Sequence, residues 1–425
     1  MSTVVMKFGG TSVADAERCL AAARRIVQAK LDGNRVVAAV SARGDMTDEL
    51  YEMAYEIDEN PSRRELDMLV STGEQISVAL MAIAVNKLGH KAISLIGSQM
   101  GIFTDNSHGK ARIAAIRPDR IEQELKGGNI VIAAGFQGVT VDSEITTLGR
   151  GGSDTTAVAL AAAIKGDMCE IYTDVDGVYT ADPRIVPDAR KLDTIYHDEM
   201  LELASLGVGV LHPRAVEIAK KFRVALCVRS SFANTPGTII TEEPDKMEAV
   251  IVRGAAVNSD EAKVTVIGVP DQPGIAANIL GKVAGRNVNL DMIIQNVGRD
   301  GKADLTFTVM KNDLQEALEA CKKAGEEMGA AGVVADDNIA KVSVVGVGMR
   351  SHSGVAERMF RALADEKINI QMISTSEIKI SCVVAKDRAA DAMRAVHKAF
   401  ELDKPENERS YSGVTYHPGA FSEDI

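Results

Sequence analysis

Short apolar runs and longer amphipathic segments alternate through the first half of the chain. Thr3–Phe8 and Arg35–Ser41 are compact and largely apolar, which predicts buried strands. Between them, Ala14–Lys30 carries alanine, leucine, isoleucine and valine at helical spacing, which predicts a helix. Strands that alternate with helices favour an α/β fold, in which a mostly parallel sheet is sandwiched by helices and joined by right-handed crossovers.

Both patterns recur further along the chain. Apolar runs predict more strands at Ala92–Leu95, Asn129–Ala134, Glu170–Asp174 and Ala225–Arg229. Helical spacing predicts more helices over Glu65–Leu88, Ala157–Ile164 and Leu201–Leu206. The first half is therefore expected to form one domain around one sheet.

The second half contains an internal repeat. Lys263–Val269 recurs as Lys341–Val347, and Asn289–Ile293 recurs as Asn369–Ile373. Each copy has the pattern of a ferredoxin-like βαββαβ unit, and two copies are too few for a solenoid. Boundary signals rich in proline, glycine and acidic residues occur at 233–237 and 242–245. The predicted domains are 1–242, a linker and strand over 243–262, then 263–340 and 341–425, the last with a polar tail.

Composition and charge exclude several classes of partner. The net charge of −12 argues against nucleic acid or an anionic membrane as a partner. The five cysteines are scattered without a CxxC pair or a nearby histidine, so we predict free thiols and no protein metal site. The chain opens without a signal sequence and has no run of eighteen apolar residues, so we expect a cytoplasmic protein.

Two glycine-rich turns are candidate ligand sites. Lys7 ends the first strand and is followed by Gly9-Gly10-Thr11-Ser12 before a helix, an arrangement that cradles phosphates but is not a Walker A loop. The second turn, Thr147 to Thr156, places Arg150 and Asp154 beside a helix start, where a cation and an anion can hold a zwitterion. The alternatives are a solvated lysine beside a turn and a tight turn that closes a core helix.

Three further segments carry candidate ligand-binding residues, the first of them at the carboxyl end of a strand, where open α/β sheets bind ligands. Ser41–Asp48 follows a predicted strand, Glu74 stands beside a glycine within a predicted helix, and Val175–Arg184 carries Tyr179 and Arg184, which can contact a nucleotide. Glu74 as an exposed charge and Val175–Arg184 as ordinary Asp-Gly and Asp-Pro turns are the alternatives.

The motifs Lys7 to Ser12, Thr72-Gly73-Glu74, Thr147 to Asp154 and Thr173 to Tyr179 occur in this order, with the repeat behind them. Together they resemble the aspartate kinases of the amino acid kinase family, with two C-terminal ACT domains, over nearly all of residues 1–402. The resemblance implies the amino acid kinase fold plus two ferredoxin-like ACT domains. It also implies ATP-dependent phosphorylation of the L-aspartate β-carboxylate, the first step of lysine, threonine and methionine biosynthesis.

The resemblance also assigns roles to residues. Lys7, Arg150 and Asp154 would be catalytic, with Arg150 on a substrate carboxylate and Asp154 on the α-amino group. The aspartate pocket would comprise Ser41, Thr47, Glu74, Arg150, Gly151, Gly152, Ser153 and Asp154. The nucleotide would contact Lys7, Gly9, Gly10, Ser12, Thr173, Asp174, Tyr179, Asp182, Arg184, Gly209 and Val210. ATP and Mg²⁺, bound mainly through the phosphates, are the implied cofactors.

One position departs from the family pattern. Gly209 stands where aspartate kinases usually carry a lysine that helps to hold the ATP phosphates. Arg214, Lys220 and Lys221 are candidate substitutes. Two other functions therefore stay open: a kinase for glutamate or another small carboxylate, and an amino acid sensor whose kinase half has decayed, which Gly209 alone supports.

For the repeats, the resemblance implies feedback inhibition by lysine, threonine or both. The effector residues would be Asp271, Gly274, Ile275, Ala276, Asn289, Asp291 and Gln295 in the first copy, and Gly354, Val355, Ala356 and Asn369 in the second. In the second copy Gln371 stands at the position that corresponds to Asp291, so the two sites are expected to be unequal. A homo-oligomer through the ACT domains is expected, and a separate regulatory subunit could start at Met247. A purely structural dimerisation module is the alternative.

Overall fold

The computed structural model describes residues 1–243, 250–298, 301–410 and 414–416. They divide into two compact units, one of Met1–Tyr179 and Lys191–Met247, the other of Thr180–Arg190 and Glu248–Ile425. The short segment Thr180–Arg190 thus belongs with the second unit, although it interrupts the first in sequence. The predicted internal start at Met247 lies outside the described residues, and the predicted domain bounds remain predictions.

The first unit contains twelve strands and seven helices among its described residues. The strands are β1 Thr3–Phe8, β2 Arg35–Val40, β3 Ala92–Leu95, β4 Ile102–Thr104, β5 Ile113–Ile116, β6 Ile130–Ala134, β7 Gln137–Val139, β8 Ile145–Thr147, β9 Met168–Thr173, β10 Thr194–Tyr196, β11 Leu226–Ser230 and β12 Thr238–Thr241. The helices are α1 Ala16–Leu31, α2 Met46–Tyr55, α3 Arg63–Lys87, α4 Asp119–Lys126, α5 Gly152–Ala163, α6 His197–Ser205 and α7 Pro213–Phe222.

An eight-stranded sheet forms the centre of this unit, in the order β10-β12-β11-β9-β1-β2-β6-β3. All of its pairings are parallel except that of β11 with β12, as predicted for a mostly parallel sheet. The run Val36–Val40 is fully buried, because helices cover a parallel sheet on both faces. β1 lies inside the sheet, so its carboxyl end is flanked by the ends of β2 and β9.

A second sheet of the first unit, β5-β4-β7-β8, was not predicted. Its strands are only three or four residues long, too short to show a period in the sequence. The proposed boundary at 233–237 is wrong, because this segment connects β11 with β12 inside the main sheet.

Helix α3 is, among the described residues, the one helix long and apolar enough to cross a membrane by length and composition. Its most apolar window is 56% buried within the protein, as expected for a core helix. Its N-cap is Ser62, whose side chain accepts a hydrogen bond from the Glu65 N–H.

The second unit contains the two repeats. Its strands are β13 Gly254–Asn258, β14 Glu261–Pro270, β15 Asp291–Val297, β16 Lys302–Met310, β17 Gly332–Asp336, β18 Ile339–Val345, β19 His352–Ser353, β20 Met372–Thr375, β21 Lys379–Ala385 and β22 Thr415–Tyr416. Its helices are α8 Ile275–Ala284, α9 Leu314–Met328, α10 Val355–Asp365 and α11 Ala389–Ala399.

The two repeated sheets differ in how the chain completes them. The first has the order β15-β16-β14-β17 and is built from consecutive strands, as predicted. The second has the order β13-β18-β21-β20, so its fourth strand precedes the first repeat instead of following α11. The first repeat is thus inserted into the second, a permutation that a search for repeated segments does not detect because β13 stands apart from the rest of its copy.

Candidate active site

The cleft at the carboxyl end of β1 collects most of the residues predicted to bind aspartate. It has a volume of about 300 Å³. Its predicted members are Lys7, Gly10, Ser41, Thr47, Glu74, Arg150, Gly151, Gly152, Ser153 and Asp154. These residues come from β1, from the turns after β1 and β2, and from helices α2, α3 and α5, so the parallel sheet gathers distant parts of the chain at one edge.

Lys7 and Asp154 form an ion pair within this cleft. Lys7 Nζ lies 2.6 Å from Asp154 Oδ1, and each side chain is 12% exposed. Lys7 stands near the end of β1 and Asp154 in the first turn of α5, so the pair joins the two glycine-rich motifs. A ligand that enters here meets a cation and an anion that are already desolvated.

Close approaches explain the glycines of both turns. A Cβ on Gly10 would lie 2.7 Å from the carbonyl oxygen of Ala42, so the first turn packs directly on the end of β2. Gly151 has φ +67°, a left-handed conformation, and a Cβ there would lie 2.2 Å from the side chain of His212. The glycines therefore let the two turns form the cleft walls without side chains of their own.

Glu74 is buried in the cleft and faces away from solvent, so the alternative of an exposed charge is wrong. Glu74 is 3% exposed, and its Oε1 accepts a hydrogen bond from the Ala42 N–H at 3.0 Å. A Cβ on Gly73 would lie 2.9 Å from that of Ala42, which explains the glycine within α3. Burial raises the pKa of Glu74 to about 7, while the Ala42 N–H opposes the rise.

The second oxygen of Glu74 has no hydrogen-bond partner among the described residues. Buried carboxylate oxygens are costly without a partner, because they lose the hydration of bulk water. A ligand ammonium group would supply both a hydrogen bond and a compensating charge.

Arg150 stands at the mouth of the cleft. It is exposed, and within the described parts of the chain its guanidinium has no hydrogen bond or ion pair. A free guanidinium beside a cleft can bind a carboxylate with two parallel hydrogen bonds. Arg150 and Lys7 therefore give this acidic chain two cations at one edge of the sheet.

Asp67 is a functional candidate that the sequence did not reveal. This buried carboxylate of α3 accepts hydrogen bonds from Thr147 Oγ1 at 2.5 Å, from the Gly109 N–H at 3.0 Å and from His108 Nδ1 at 2.8 Å. A Cβ on Gly149 would lie 3.0 Å from the Gly109 carbonyl oxygen, so the segment held by Asp67 backs the Gly149–Arg150 turn. Asp67 precedes Glu74 by seven residues, which puts both on the same face of the helix. This spacing was the available sequence signal for a role of Asp67 near the cleft.

Phe136 is a second residue of the cleft that was not predicted to have a role. It has φ +66°, which is rare for a bulky residue, and its N–H donates to Thr156 Oγ1 at 3.1 Å. Its carbonyl oxygen accepts from the Leu148 N–H at 2.8 Å. The strained residue therefore ties the end of β6 to both sides of the second glycine turn.

The residues predicted to bind the nucleotide are more dispersed. Gly9 stands beside Lys7, and Ser12 Oγ lies 2.6 Å from Ser231 Oγ. Thr173 ends β9 and hydrogen-bonds to Asp174 at 3.0 Å, and Tyr179 donates to Asp176 at 2.8 Å. Gly209 and Val210 lie between α6 and α7, with open space around Gly209.

Asp182 and Arg184 belong to the second unit, where they form an ion pair at 2.7 Å. Their roles, and those of the other nucleotide residues, stay predictions. The candidate substitutes for the lysine missing at Gly209 already have contacts in the first unit. Arg214 donates to the carbonyl oxygens of Leu148 and Ala111, Lys220 pairs with Asp198 at 2.5 Å, and Lys221 lies over the ring of Phe222.

The predicted effector loops of the second unit share one geometry. Gly274 and Gly354 both adopt left-handed φ, +93° and +89°, and each precedes the first residue of a helix, Ile275 in α8 and Val355 in α10. The remaining predicted residues of these loops and strands are Asp271, Ala276, Asn289, Gln295, Ala356 and Asn369. The shared geometry agrees with the internal repeat, and the effector roles stay predictions.

Asp291 differs from its counterpart as the sequence indicated, but its carboxylate is already engaged. It pairs with Lys341, which is 2% exposed and also pairs with Glu261. The two carboxylates hold the pKa of Lys341 above its usual value despite burial. Lys341 begins the second copy of the repeated segment, so this buried cluster links the two ACT sheets.

Comparison with known proteins gives the family. The amino acid kinase family model matches residues 2–230, and ACT domain models match residues 263–326 and 342–400. An aspartate kinase of Stutzerimonas stutzeri is 54% identical over 406 residues, which cover 95% of this chain and 98% of the relative. The chain belongs to the aspartate kinases. It is thus a kinase of the amino acid kinase family with two ACT domains.

Solved structures show the same fold. Aspartokinase III of Escherichia coli in complex with aspartate and ADP has a TM-score of 0.78 at 24% identity, with coverage of 94% of this chain and 100% of that one. The same enzyme in complex with lysine and aspartate has a TM-score of 0.73 at 25% identity, with coverage of 93% and 99%.

Proposed function

We propose that this aspartate kinase transfers the γ-phosphoryl group of ATP to the β-carboxylate of L-aspartate, giving 4-phospho-L-aspartate and ADP. The observation that carries the proposal is the convergence of Lys7, Glu74, Arg150 and Asp154 on one cleft of about 300 Å³. Aspartate has two carboxylates and one ammonium group. The cleft offers the two cations Lys7 and Arg150 for the carboxylates, and Glu74 and Asp154 for the ammonium group.

The substrate is held by opposite charges. Arg150, which is free at the cleft mouth, takes the α-carboxylate, and Asp154 takes the α-amino group. Glu74 adds a second carboxylate near the ammonium, and its unpartnered oxygen gains a hydrogen bond on binding. Lys7, 2.6 Å from Asp154, then stands between donor and acceptor, beside the β-carboxylate and the γ-phosphoryl group.

The reaction needs no strong general base. A carboxylate with a pKa of about 4 is ionised at neutral pH, so one of its oxygens attacks the γ-phosphorus directly as the bond to the ADP oxygen breaks. Charge neutralisation and alignment supply most of the catalysis in phosphoryl transfer. Lys7 and the N–H of Gly10 provide these for the phosphates, since the Gly9 N–H already donates to the Tyr172 carbonyl oxygen.

The nucleotide site takes Mg·ATP. In the described residues, acidic, histidine and cysteine side chains do not form a group of three or more that could hold a metal ion. Mg²⁺ would be bound mainly through the phosphates, whose charge it would neutralise. In the first unit, Gly9, Gly10 and Ser12 surround the phosphates, while Thr173, Asp174, Tyr179, Gly209 and Val210 hold the rest of the nucleotide.

The ACT domains provide feedback control by end products of the pathway, lysine, threonine or both. The left-handed glycines before α8 and α10 direct helix N-termini toward the effector carboxylate, and the bound lysine of the Escherichia coli relative supports an amino acid effector. Because the second copy has Gln371 at the position that corresponds to Asp291, the two sites differ in affinity. Oligomers form through these domains. The enzyme is located in the cytoplasm.

An aspartyl hydroxamate assay with purified protein, ATP and Mg²⁺ tests the catalytic proposal. We expect product with aspartate and much less with glutamate, and loss of product in Lys7→Ala. Lys126→Ala is the matched control, since Lys126 is 72% exposed and its ion pair among the described residues is with Glu122, at 3.4 Å on its own helix. Absence of product from the unmodified protein would contradict the proposed reaction. Equal activity with glutamate would contradict aspartate as the specific substrate.

A further inference from the structure

A groove with a volume of about 830 Å³ lies on the first unit, between strand β5 and helices α5 and α7. Much of its lining is apolar, because α5 contributes Ala159, Ala162 and Ala163 there. Helix α7 adds the side chains of Ile218 and Phe222. The alanines are too short to fill the space between the two helices and the strand. The aspartate cleft has a volume of about 300 Å³, so the groove has room for a larger molecule than an amino acid.

Cations border this apolar lining. Arg112, Arg214 and Lys221 line the groove, and the described lining contributes one carboxylate, that of Glu217. Burial and the neighbouring charge of Arg112 lower the pKa of Arg214, so the two guanidinium groups lie close enough to repel each other. Glu217 and Asp105 offset part of this repulsion. An anion between the two arginines would offset the remainder.

We propose that the groove binds a small organic anion with an apolar body, a monocarboxylate whose head lies between Arg112 and Arg214 and whose aliphatic chain lies along the alanines of α5. A guanidinium group can bind a carboxylate through two parallel hydrogen bonds, so the head meets donors on both sides. A hydrocarbon chain that displaces water from the apolar lining adds a second favourable contribution. An inorganic anion would leave that lining hydrated, and an uncharged hydrocarbon would leave the two arginines repelling each other. Tight binding therefore requires both parts of the ligand.

The groove adjoins the turn that carries Arg150. Arg214 donates hydrogen bonds to the carbonyl oxygens of Leu148 at 3.0 Å and Ala111 at 2.7 Å. Leu148 stands two residues before Arg150, and the Ala111 N–H donates to the Thr147 carbonyl oxygen at 2.8 Å. A carboxylate in the groove competes with both carbonyl oxygens for the Arg214 guanidinium. We expect bound ligand to loosen the turn and weaken aspartate binding, a consequence that rests on the proposed function, whereas binding of the anion itself does not.

Calorimetric titration of the full-length protein, without ATP or aspartate, tests the site with octanoate, acetate and 1-octanol as probes. Octanoate has both the charged head and the apolar chain, whereas acetate lacks the chain and 1-octanol lacks the charge. We expect saturable binding of one octanoate per chain, at least about tenfold tighter than binding of either other probe. Absence of saturable octanoate binding would overturn the proposal, as would equally tight binding of acetate or of 1-octanol.

Two variants test whether the bound octanoate lies in the groove. Arg112→Gln removes the charge of an exposed side chain and should weaken octanoate binding at least about tenfold, with little change for 1-octanol. Ala162→Phe fills part of the apolar lining and should weaken binding of both, with thermal melting as the check that it folds. Arg120→Gln is the matched control, because Arg120 is 50% exposed and its ion pair among the described residues is with Glu124, at 2.7 Å on its own helix. Equal octanoate affinity in Arg112→Gln and Arg120→Gln would overturn the proposal.

Steady-state kinetics test the link to the Arg150 turn. Saturating octanoate should raise KM for aspartate at least about threefold in the unmodified enzyme and in Arg120→Gln, with little change in KM for ATP. The same octanoate concentration should have a smaller effect in Arg112→Gln. An unchanged KM for aspartate with octanoate bound would overturn the link. A protein that binds octanoate but forms no aspartyl hydroxamate would instead contradict the proposed function, so the two failures are distinguishable.

Discussion

The Nζ atom of Lys7 lies 2.6 Å from the carboxylate of Asp154, although 147 residues separate them in sequence. Each charge stabilises the other within the cleft, where both side chains are largely buried. Neither therefore has to be desolvated when the substrate binds. Substrate binding then requires Asp154 to share its charge between Lys7 and the incoming ammonium group.

Asp154→Asn should lower kcat/KM for aspartate by about 10²- to 10³-fold, because loss of one preorganised charged partner costs roughly 3 to 4 kcal/mol. The KM for ATP should change much less, since the phosphates contact the Gly9-Gly10 turn. Steady-state kinetics with each substrate varied checks this. Asp142→Asn, an exposed aspartate in the turn before β8, is the control and should behave like the unmodified enzyme.

The pH dependence of aspartate binding should report on Glu74, whose pKa is about 7 in the empty cleft. Ionised Glu74 attracts the substrate ammonium and protonated Glu74 does not, so KM for aspartate should fall as the pH rises through about 7. Glu74→Gln should raise KM and remove this dependence between about pH 6 and about pH 8. A profile in Glu74→Gln identical to that of the unmodified enzyme would contradict the assignment.

Glu74 should also make the free enzyme less stable at higher pH. Its folded pKa, about 7, exceeds the ordinary value of 4.5, so the folded state binds the proton more tightly than the unfolded state. Stability from this group is present below about pH 4.5 and is lost as the pH rises through 7, with an upper limit of about 3 kcal/mol. Glu74→Gln should therefore raise the melting temperature at about pH 8 but not at about pH 5, as calorimetry can measure.

Asp67→Asn should weaken the support of the Arg150 turn. An amide presents one oxygen and an NH₂ group where the carboxylate accepts bonds from Thr147, Gly109 and His108, so at least one donor loses its partner. We expect a loss of about 1 to 3 kcal/mol of stability and a higher KM for aspartate. Thr147→Val, which removes one of these bonds, should show a smaller effect in both measurements; an unchanged KM in Asp67→Asn would contradict a positioning role.

Gly151→Ala should abolish aspartate binding, because the new methyl group would meet the His212 side chain at 2.2 Å. His212→Ala removes the obstructing ring, so the double variant should recover part of the affinity. The left-handed conformation of residue 151 would still cost about 1 kcal/mol with alanine. Calorimetric titration with aspartate compares the three variants. If the double variant recovers no affinity, the left-handed backbone conformation of residue 151, and not the clash with His212, causes the loss.

Periodicity was sufficient to predict six of the eight strands of the central sheet, but not β10 and β12. β1, β2, β3 and β6 are continuous apolar runs, and their observed ends fall within one residue of those predicted. The second sheet was missed because β4, β5, β7 and β8 depend on pairing with one another and not on a local pattern. The same limit applies to β13, whose place in the second ACT sheet is fixed by a strand far along the chain.

For the site, the sequence predicted which residue types would meet but not how they are paired. Lys7, Arg150 and Glu74 were predicted from motifs, and the cleft brings them together. The burial of Glu74 could not be derived, because it results from the packing of Gly73 against Ala42. Asp67 was missed because a lone aspartate in an apolar helix has no motif, and its role becomes visible only through Gly109 and Thr147.

Because one ACT domain is inserted into the other, the two domains can complete their sheets only in a fixed order during synthesis. Gly254–Asn258 leaves the ribosome before any strand with which it pairs, and it must wait until Ile339–Val345 has emerged. Meanwhile the inner domain already possesses every strand of its own sheet. The inner domain can therefore complete its sheet while β13, the first strand of the outer domain, is still unpaired.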